Sequence, residues 1–254
     1  MNSLGSSRLA LLPAKLLLRP VAVALLFLAG AAVAEEEKFD PRAWDGRLET
    51  MHEYAAPPSE GKTELMAAAG EGDLERARGL LAAGAVVDAR NANGGTALMY
   101  AVSAGDIAMM RLLLGAGADA NARARIGWTP LLVGAAKGRD EAIVLLLAAG
   151  ADPNETDAYG WTPLMRAVSA GHAAAVDALL DAGGLDLQAR EESGATALHI
   201  AAGRGYTDIV RRLLAAGAEA SVADGAGRTP ADVARLQGHG EAEALLKVRR
   251  RRAG

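Results

Sequence analysis

Cysteine is absent from the 254 residues. Disulfides, thiolate catalysis and cysteine-ligated zinc are therefore excluded. Aromatic residues make up only 4% of the chain although 51% of it is hydrophobic. Alanine and leucine carry that apolar content, and both favour helix. Long uninterrupted helices are scarce too, because thirty glycines cut the chain into short segments. There is no excess of basic charge: the formal net charge is −4. From Glu35 onward 24 Lys and Arg stand against 31 Asp and Glu, which argues against nucleic acid as the main partner. Metal ligands are few. The histidines are His52, His172, His199 and His239, and no pair has ligand spacing such as i,i+4 on one helix. Gly61-Lys62-Thr63 looks like the end of a phosphate-binding loop, but Ala56 stands where that loop needs a glycine. No nucleophile–base–orienter set emerges, so no catalytic residue, cofactor site or metal site is assigned.

Long apolar runs are also missing. The longest, Val21–Ala34, has 14 residues, short of the ~20 that a membrane span needs. It follows Arg8, Lys15 and Arg19 and ends in Ala32-Val33-Ala34 before Glu35-Glu36-Glu37. A basic start, a short apolar core and small residues at −3 and −1 define residues 1–34 as a secretory signal peptide, with an uncleaved anchor as the alternative. The basic residues keep the N-terminus inside in both cases, so the remainder is exported. No cysteine follows the run, which excludes a bacterial lipoprotein anchor. Residues 35–59, with Trp44, Met51 and Tyr54, are expected to flank or cap the next domain.

What the chain does have is a period. Thr63, Thr96, Thr129, Thr162, Thr196 and Thr229 are separated by 33, 33, 33, 34 and 33 residues. "GWTPL" occurs at Gly127–Leu131 and again at Gly160–Leu164. Threonine is a good N-cap, and the proline that follows it at 130, 163 and 230 suits the first helical position. Nine residues after four of these threonines stands Gly105, Gly138, Gly171 or Gly205, able to end a short first helix. A second helix follows, with Asp73, Asp106, Asp140 or Asp208 near its start, and Ala-Gly-Ala ends it. The remaining dozen residues of each unit are rich in turn formers and read as a hairpin-like loop. The fourth unit has one extra residue between Gly183 and Thr196. A fixed period of this length predicts an all-α solenoid in which each unit buries its apolar face on its neighbours.

The segment Gly194–Ala220, "GATALHIAAGRGYTDIVRRLLAAGAEA", resembles an ankyrin repeat. The resemblance covers about residues 60–248 and implies an ankyrin repeat array of five full repeats and a C-terminal capping repeat, with residues 249–254 as a basic tail. It also implies a structural role for His199, tying one unit's loop to the next. The function implied is a non-catalytic protein–protein interaction module using a concave face. By register that face includes Asn93, Arg125, Ile126, Trp128, Lys137, Tyr159, Trp161, Glu192, Arg204 and Arg228. Tyr100 and Arg166 share one repeat position and are weaker candidates. With the export signal, the Ala-, Gly- and Arg-rich composition points to a bacterial periplasmic protein, expected as a monomer, serving as scaffold or accessory to a partner protein. Resemblance to exported bacterial members makes an oxidative-stress enzyme one candidate partner. A secreted effector that binds a host protein is the alternative.

Overall fold

The computed structural model describes residues 61–253, with side chains as far as Lys247. The expected signal peptide at 1–34, the expected flank at 35–59 and the side chains of Arg249–Arg252 lie outside the described residues. The chain divides at Asp45/Gly46, and all described residues belong to the second unit, Gly46–Gly254.

Among the described residues there are α-helices and one 3-10 turn, with no strand. The helices come in pairs: α1 (Glu64–Glu71) and α2 (Leu74–Ala82), α3 (Ala97–Ala104) and α4 (Ile107–Gly115), α5 (Pro130–Lys137) and α6 (Asp140–Ala148). Then follow α7 (Pro163–Ala170) and α8 (Ala173–Ala182), α9 (Ala197–Gly203) and α10 (Thr207–Ala215), and α11 (Pro230–Leu236) and α12 (Gly240–Ala253). Each first helix packs on its own second helix and on the first helix of the next pair, so the pairs stack into two rows. No helix of the described residues is long and apolar enough to cross a membrane. The expected basic tail continues α12, whose helical backbone runs to Ala253.

All six threonines stand at the N-caps of first helices. Thr63, Thr129, Thr162 and Thr229 accept a hydrogen bond from the amide three residues on, at 3.2–3.4 Å. Such a bond contributes about 1 kcal/mol to a helix start. Thr196 is different: its hydroxyl lies 2.9 Å from Nδ1 of His199. Four first helices stop early because the next residue is a left-handed glycine, and in α9 and α11 that glycine, Gly205 or Gly238, stands one residue further on. Gly105, for example, has φ 79°, which closes α3 after eight residues.

The core lies between the rows. Leu98, Leu131, Leu132 and Leu164 of the first helices meet Met109, Leu113, Ile143, Leu146 and Leu179 of the second, all of them at most 2% exposed. Full burial of such a side chain contributes roughly 1.5–3 kcal/mol. Alanines such as Ala101, Ala135 and Ala201, fully buried, keep the first-helix row tight.

A second set of contacts ties the units together through polar side chains. Asn121 accepts the Asp152 amide at 2.9 Å and donates to the Gly150 carbonyl at 2.9 Å. Asn154 repeats the pattern with Asp186 at 2.7 Å and Gly184 at 2.7 Å. Matching Gly150 to Gly184 moves the extra residue of the fourth unit from the expected Gly183–Thr196 loop to the end of α8, which has 10 residues where α2, α4, α6 and α10 have 9. Asn154 begins an Asn-Glu-Thr tripeptide, and its amide is already engaged in this ladder.

Candidate protein-interaction face

The loop before each threonine folds as a tight turn with one fixed register. The residue five before the threonine donates its amide to the carbonyl of the residue just before it: Asn91 to Gly95, Ala124 to Trp128, Asp157 to Trp161, Glu191 to Ala195 and Asp224 to Arg228, at 2.7–3.1 Å. Successive turns are joined by one backbone hydrogen bond each. Arg125 donates to Asn93 at 2.7 Å, Ala158 to Ile126 at 2.8 Å, Glu192 to Tyr159 at 3.2 Å and Gly225 to Ser193 at 2.8 Å. The approach is close: a Cβ on Gly194 would meet the Gly225 nitrogen at 2.7 Å. The turns therefore form a continuous ribbon along the first-helix row.

A side-chain acceptor organises each turn but one. Asn91 Oδ1 takes the amides of Asn93 and Gly95 at 3.0 and 2.8 Å. Asp157 Oδ1 takes those of Tyr159 and Trp161 at 2.9 and 3.1 Å. Glu191 and Asp224 do the same in their turns. The exception is Ala124, which has no acceptor to offer. There the chain forms the 3-10 turn Arg125–Gly127 instead, and Ile126 takes φ 54°, the one positive φ of a non-glycine residue among the described residues. For a β-branched side chain that conformation is strained.

Each acceptor side chain also meets a side-chain partner nine residues on or nearer. Asn91 Nδ2 donates to the Tyr100 hydroxyl at 3.2 Å. Asp157 Oδ2 accepts from the Arg166 guanidinium, with side-chain exposures of 0% and 3%. Tyr100 and Arg166 are the same repeat position. Where that position is Ile200 or Val233, the carboxylate turns elsewhere: Glu191 takes the Ser193 hydroxyl, and Asp224 takes Nε of Arg228 at 2.9 Å. Where Ala124 replaces the acceptor, the matching residue is Val133, and neither side chain is polar.

Arg166 resolves the repeated "GWTPL". Its guanidinium lies 5.2 Å from the Trp128 ring centroid and 4.6 Å from that of Trp161. Two successive indoles thus enclose one cation, which Asp157 neutralises. Burial pushes the Arg166 pKa down from its ordinary value, and the charge and hydrogen bond of Asp157 oppose that. Trp128 was expected on the contact face and is instead 4% exposed: it packs on Arg166. Trp161 is half-buried on the other side of the same guanidinium. Arg166, ranked as a weaker contact candidate, is a buried structural residue, and so is Tyr100.

The other expected contact residues separate by exposure. Arg125, Tyr159 and Glu192 are exposed at the turn tips. Asn93, Ile126, Lys137, Arg204 and Arg228 are half-buried. Arg228 holds Asp224 through two nitrogens, at 2.9 and 2.8 Å. Burial would raise the Asp224 pKa, but these bonds and the arginine charge outweigh it, and the carboxyl stays below its ordinary range.

His199 links two units. Its Nε2 lies 3.0 Å from the Arg228 carbonyl, so Nε2 carries the proton and Nδ1 accepts from the Thr196 amide at 3.2 Å. Burial lowers its pKa below 6.5, against the raising effect of the bond to Arg228. The equivalent residues Met66, Met99, Leu132 and Met165 are fully or almost fully buried and make no such tie. Among the described residues no group of three His, Cys, Asp or Glu side chains has metal-holding geometry.

Stacked helix pairs of 33-residue period, threonine caps and a ribbon of turns define a repeat protein whose sequence matches "Ankyrin repeats (3 copies)" over residues 43–124, 109–191, 131–224 and 184–249. The chain belongs to the ankyrin repeat family. It is similar to tyrosine-protein kinase HTK16 of Hydra vulgaris, with 48% identity over 61 residues, 24% of this chain and 8% of that protein. It is also similar to protein phosphatase 1 regulatory subunit 27 of Mus musculus, with 44% identity over 50 residues, 20% of this chain and 32% of that protein. The similarity thus spans less than a third or about a third of each relative's length.

Proposed function

We propose that this chain is a non-catalytic interaction module of the exported compartment, most naturally the periplasm, acting as scaffold or accessory to a partner protein. An oxidative-stress enzyme is one candidate partner. The observation that carries the reading is the turn ribbon: a continuous, rigidly bonded edge that presents Arg125, Tyr159 and Glu192 to solvent. Its polar groups that could do chemistry, His199, Asp157 and Asp224, are instead spent on caps, turns and ties between units. A rigid surface with exposed aromatic and arginine side chains suits recognition, since it loses little entropy on binding. Phosphatase regulatory subunit 27 carries an accessory role in its name, which agrees with this reading.

Two measurements test it. Cells expressing the full chain are fractionated and the N-terminus of the exported form is sequenced; export with cleavage before Glu35 is expected, and retention in the cytoplasm would contradict the assigned compartment. The full chain and its Tyr159→Ala/Arg125→Ala variant are then used for capture from that compartment. A protein enriched by the first and lost with the second supports the reading. Equal capture by both would contradict the assigned face.

A further inference from the structure

The charges of residues 61–247 are sorted by layer. The turns and first helices carry ten Lys and Arg against seven Asp and Glu. The second helices and outer loops (residues 73–88, 106–121, 139–155, 172–188, 206–221 and 239–247) carry seven against sixteen. The acids of the turn face are mostly committed to partners within the chain. Asp157 holds Arg166, Asp224 holds Arg228, Glu191 organises its own turn, and Glu64 and Glu71 hold Arg76. Arg125 and Lys137, by contrast, meet no carboxylate among the described residues.

These two cations share a face. Lys137 is four residues after Val133, the α5 counterpart of Tyr100 and Arg166, whose side chains reach back to the turns. Positions i and i+4 lie on one helix stripe, so Lys137 continues the stripe that faces the turn side. Arg204 stands at the same position two units on. The eight-residue α5 is about 12 Å long. An extended segment of about four residues would span it at ~3.3 Å each. Beside Arg125 lie the half-buried Ile126 and, one bonded turn further, Tyr159 at 39% exposure.

We propose that this face receives an acidic, aromatic-bearing segment of a partner protein, with carboxylates at Arg125 and Lys137 and the aromatic side chain against Tyr159 and Ile126. The proposal rests on the interaction reading above and adds the chemistry of the partner. A protein segment is favoured over nucleic acid because the outer layer is strongly acidic and Glu192 stands exposed among the turns, so a long polyanion would be repelled over most of the surface.

The test is selection of a random twelve-residue peptide display library on the immobilised full chain. Enriched peptides are expected to carry an excess of Asp and Glu with at least one aromatic. Their binding should fall tenfold or more with Arg125→Glu/Lys137→Glu, fall with added salt, and persist with the outer-layer control Arg78→Glu/Arg111→Glu. Circular dichroism melts establish that both variants fold; should the Glu variant not fold, Arg125→Gln/Lys137→Gln takes its place. Enriched peptides that are neutral or basic, or that bind the charge-reversed face equally well, would overturn the proposal and leave the interaction reading standing. No enrichment at all would overturn both. Short duplex DNA bound through Arg125 and Lys137 more tightly than any peptide would assign the face to nucleic acid instead.

Discussion

Removing the Arg166–Asp157 pair tests the packing account most sharply, because the protein contains its own uncharged version in Ala124 and Val133. Asp157→Ala alone strands a guanidinium that is 3% exposed. Breaking a buried pair in this way costs about 3–5 kcal/mol. Arg166→Val alone leaves a buried carboxylate, relieved in part because Oδ1 keeps the amides of Tyr159 and Trp161. It also removes the cation from between two indoles, at roughly 1 kcal/mol each, so a loss of about 3 kcal/mol is expected. If the two effects were independent, the double variant would lose about 6–8 kcal/mol. It strands no charge, however, and forfeits only the turn acceptor, the ring contacts and some packing. Its expected loss is about 4 kcal/mol, a coupling of about 3 kcal/mol. Equilibrium urea unfolding of the full chain, followed by circular dichroism and tryptophan fluorescence, measures all four corners of the cycle. A coupling under about 0.5 kcal/mol would refute the claim that Asp157 neutralises Arg166 inside the tryptophan pair.

Three further outcomes follow from the same structure. Ala124→Asn supplies the acceptor that the other turns have, and should raise stability by about 1 kcal/mol in urea unfolding; no change would mean that the Ile126 turn is not short of an acceptor. Asn121→Ala deletes two ties between units and should cost about 1–2 kcal/mol, seen as a lower urea midpoint with helix content unchanged. His199 is held below its ordinary pKa of 6.5, so the unfolded chain takes up its proton first as pH falls. Stability is full above 6.5 and declines below it until the folded-state pKa is passed. His199→Met, which installs the residue of three equivalent positions, should flatten the change in urea midpoint between about pH 7.5 and 5.5. Asp224 and Asp232 do not blur this window, since both are lowered from 3.8 and lose their stabilising effect only in stronger acid.

The period made the architecture legible. Six threonines in register located the first helices, and glycines nine residues on located their ends, because caps and left-handed turns depend on local chemistry that a single chain displays. The role of His199 was legible through resemblance. The tryptophans were harder. "GWTPL" shows that two units share an exit and a cap, but whether an indole faces solvent depends on what stands across from it in the next unit. That residue is Arg166, and its partner Asp157 lies nine positions earlier. The clue available in the sequence was the parallel pair Asn91–Tyr100, a polar turn residue matched with a polar helix residue at the same interval. The strained turn at Ile126 was marked as well, by the alanine that replaces an acceptor at position 124. Layered charge is invisible to net charge, since a total of −4 hides a turn face and an outer layer of opposite sign.

The assignment of the turn ribbon as the binding edge is tested most directly by site-specific photocrosslinking of the full chain in living cells. A photoreactive residue is placed at Tyr159 on the ribbon or at Val144, 57% exposed on the outer helix row. The account expects one discrete crosslinked protein from position 159, lost with Arg125→Glu/Lys137→Glu, and none from position 144. A partner captured from Val144 and not from Tyr159 would contradict it.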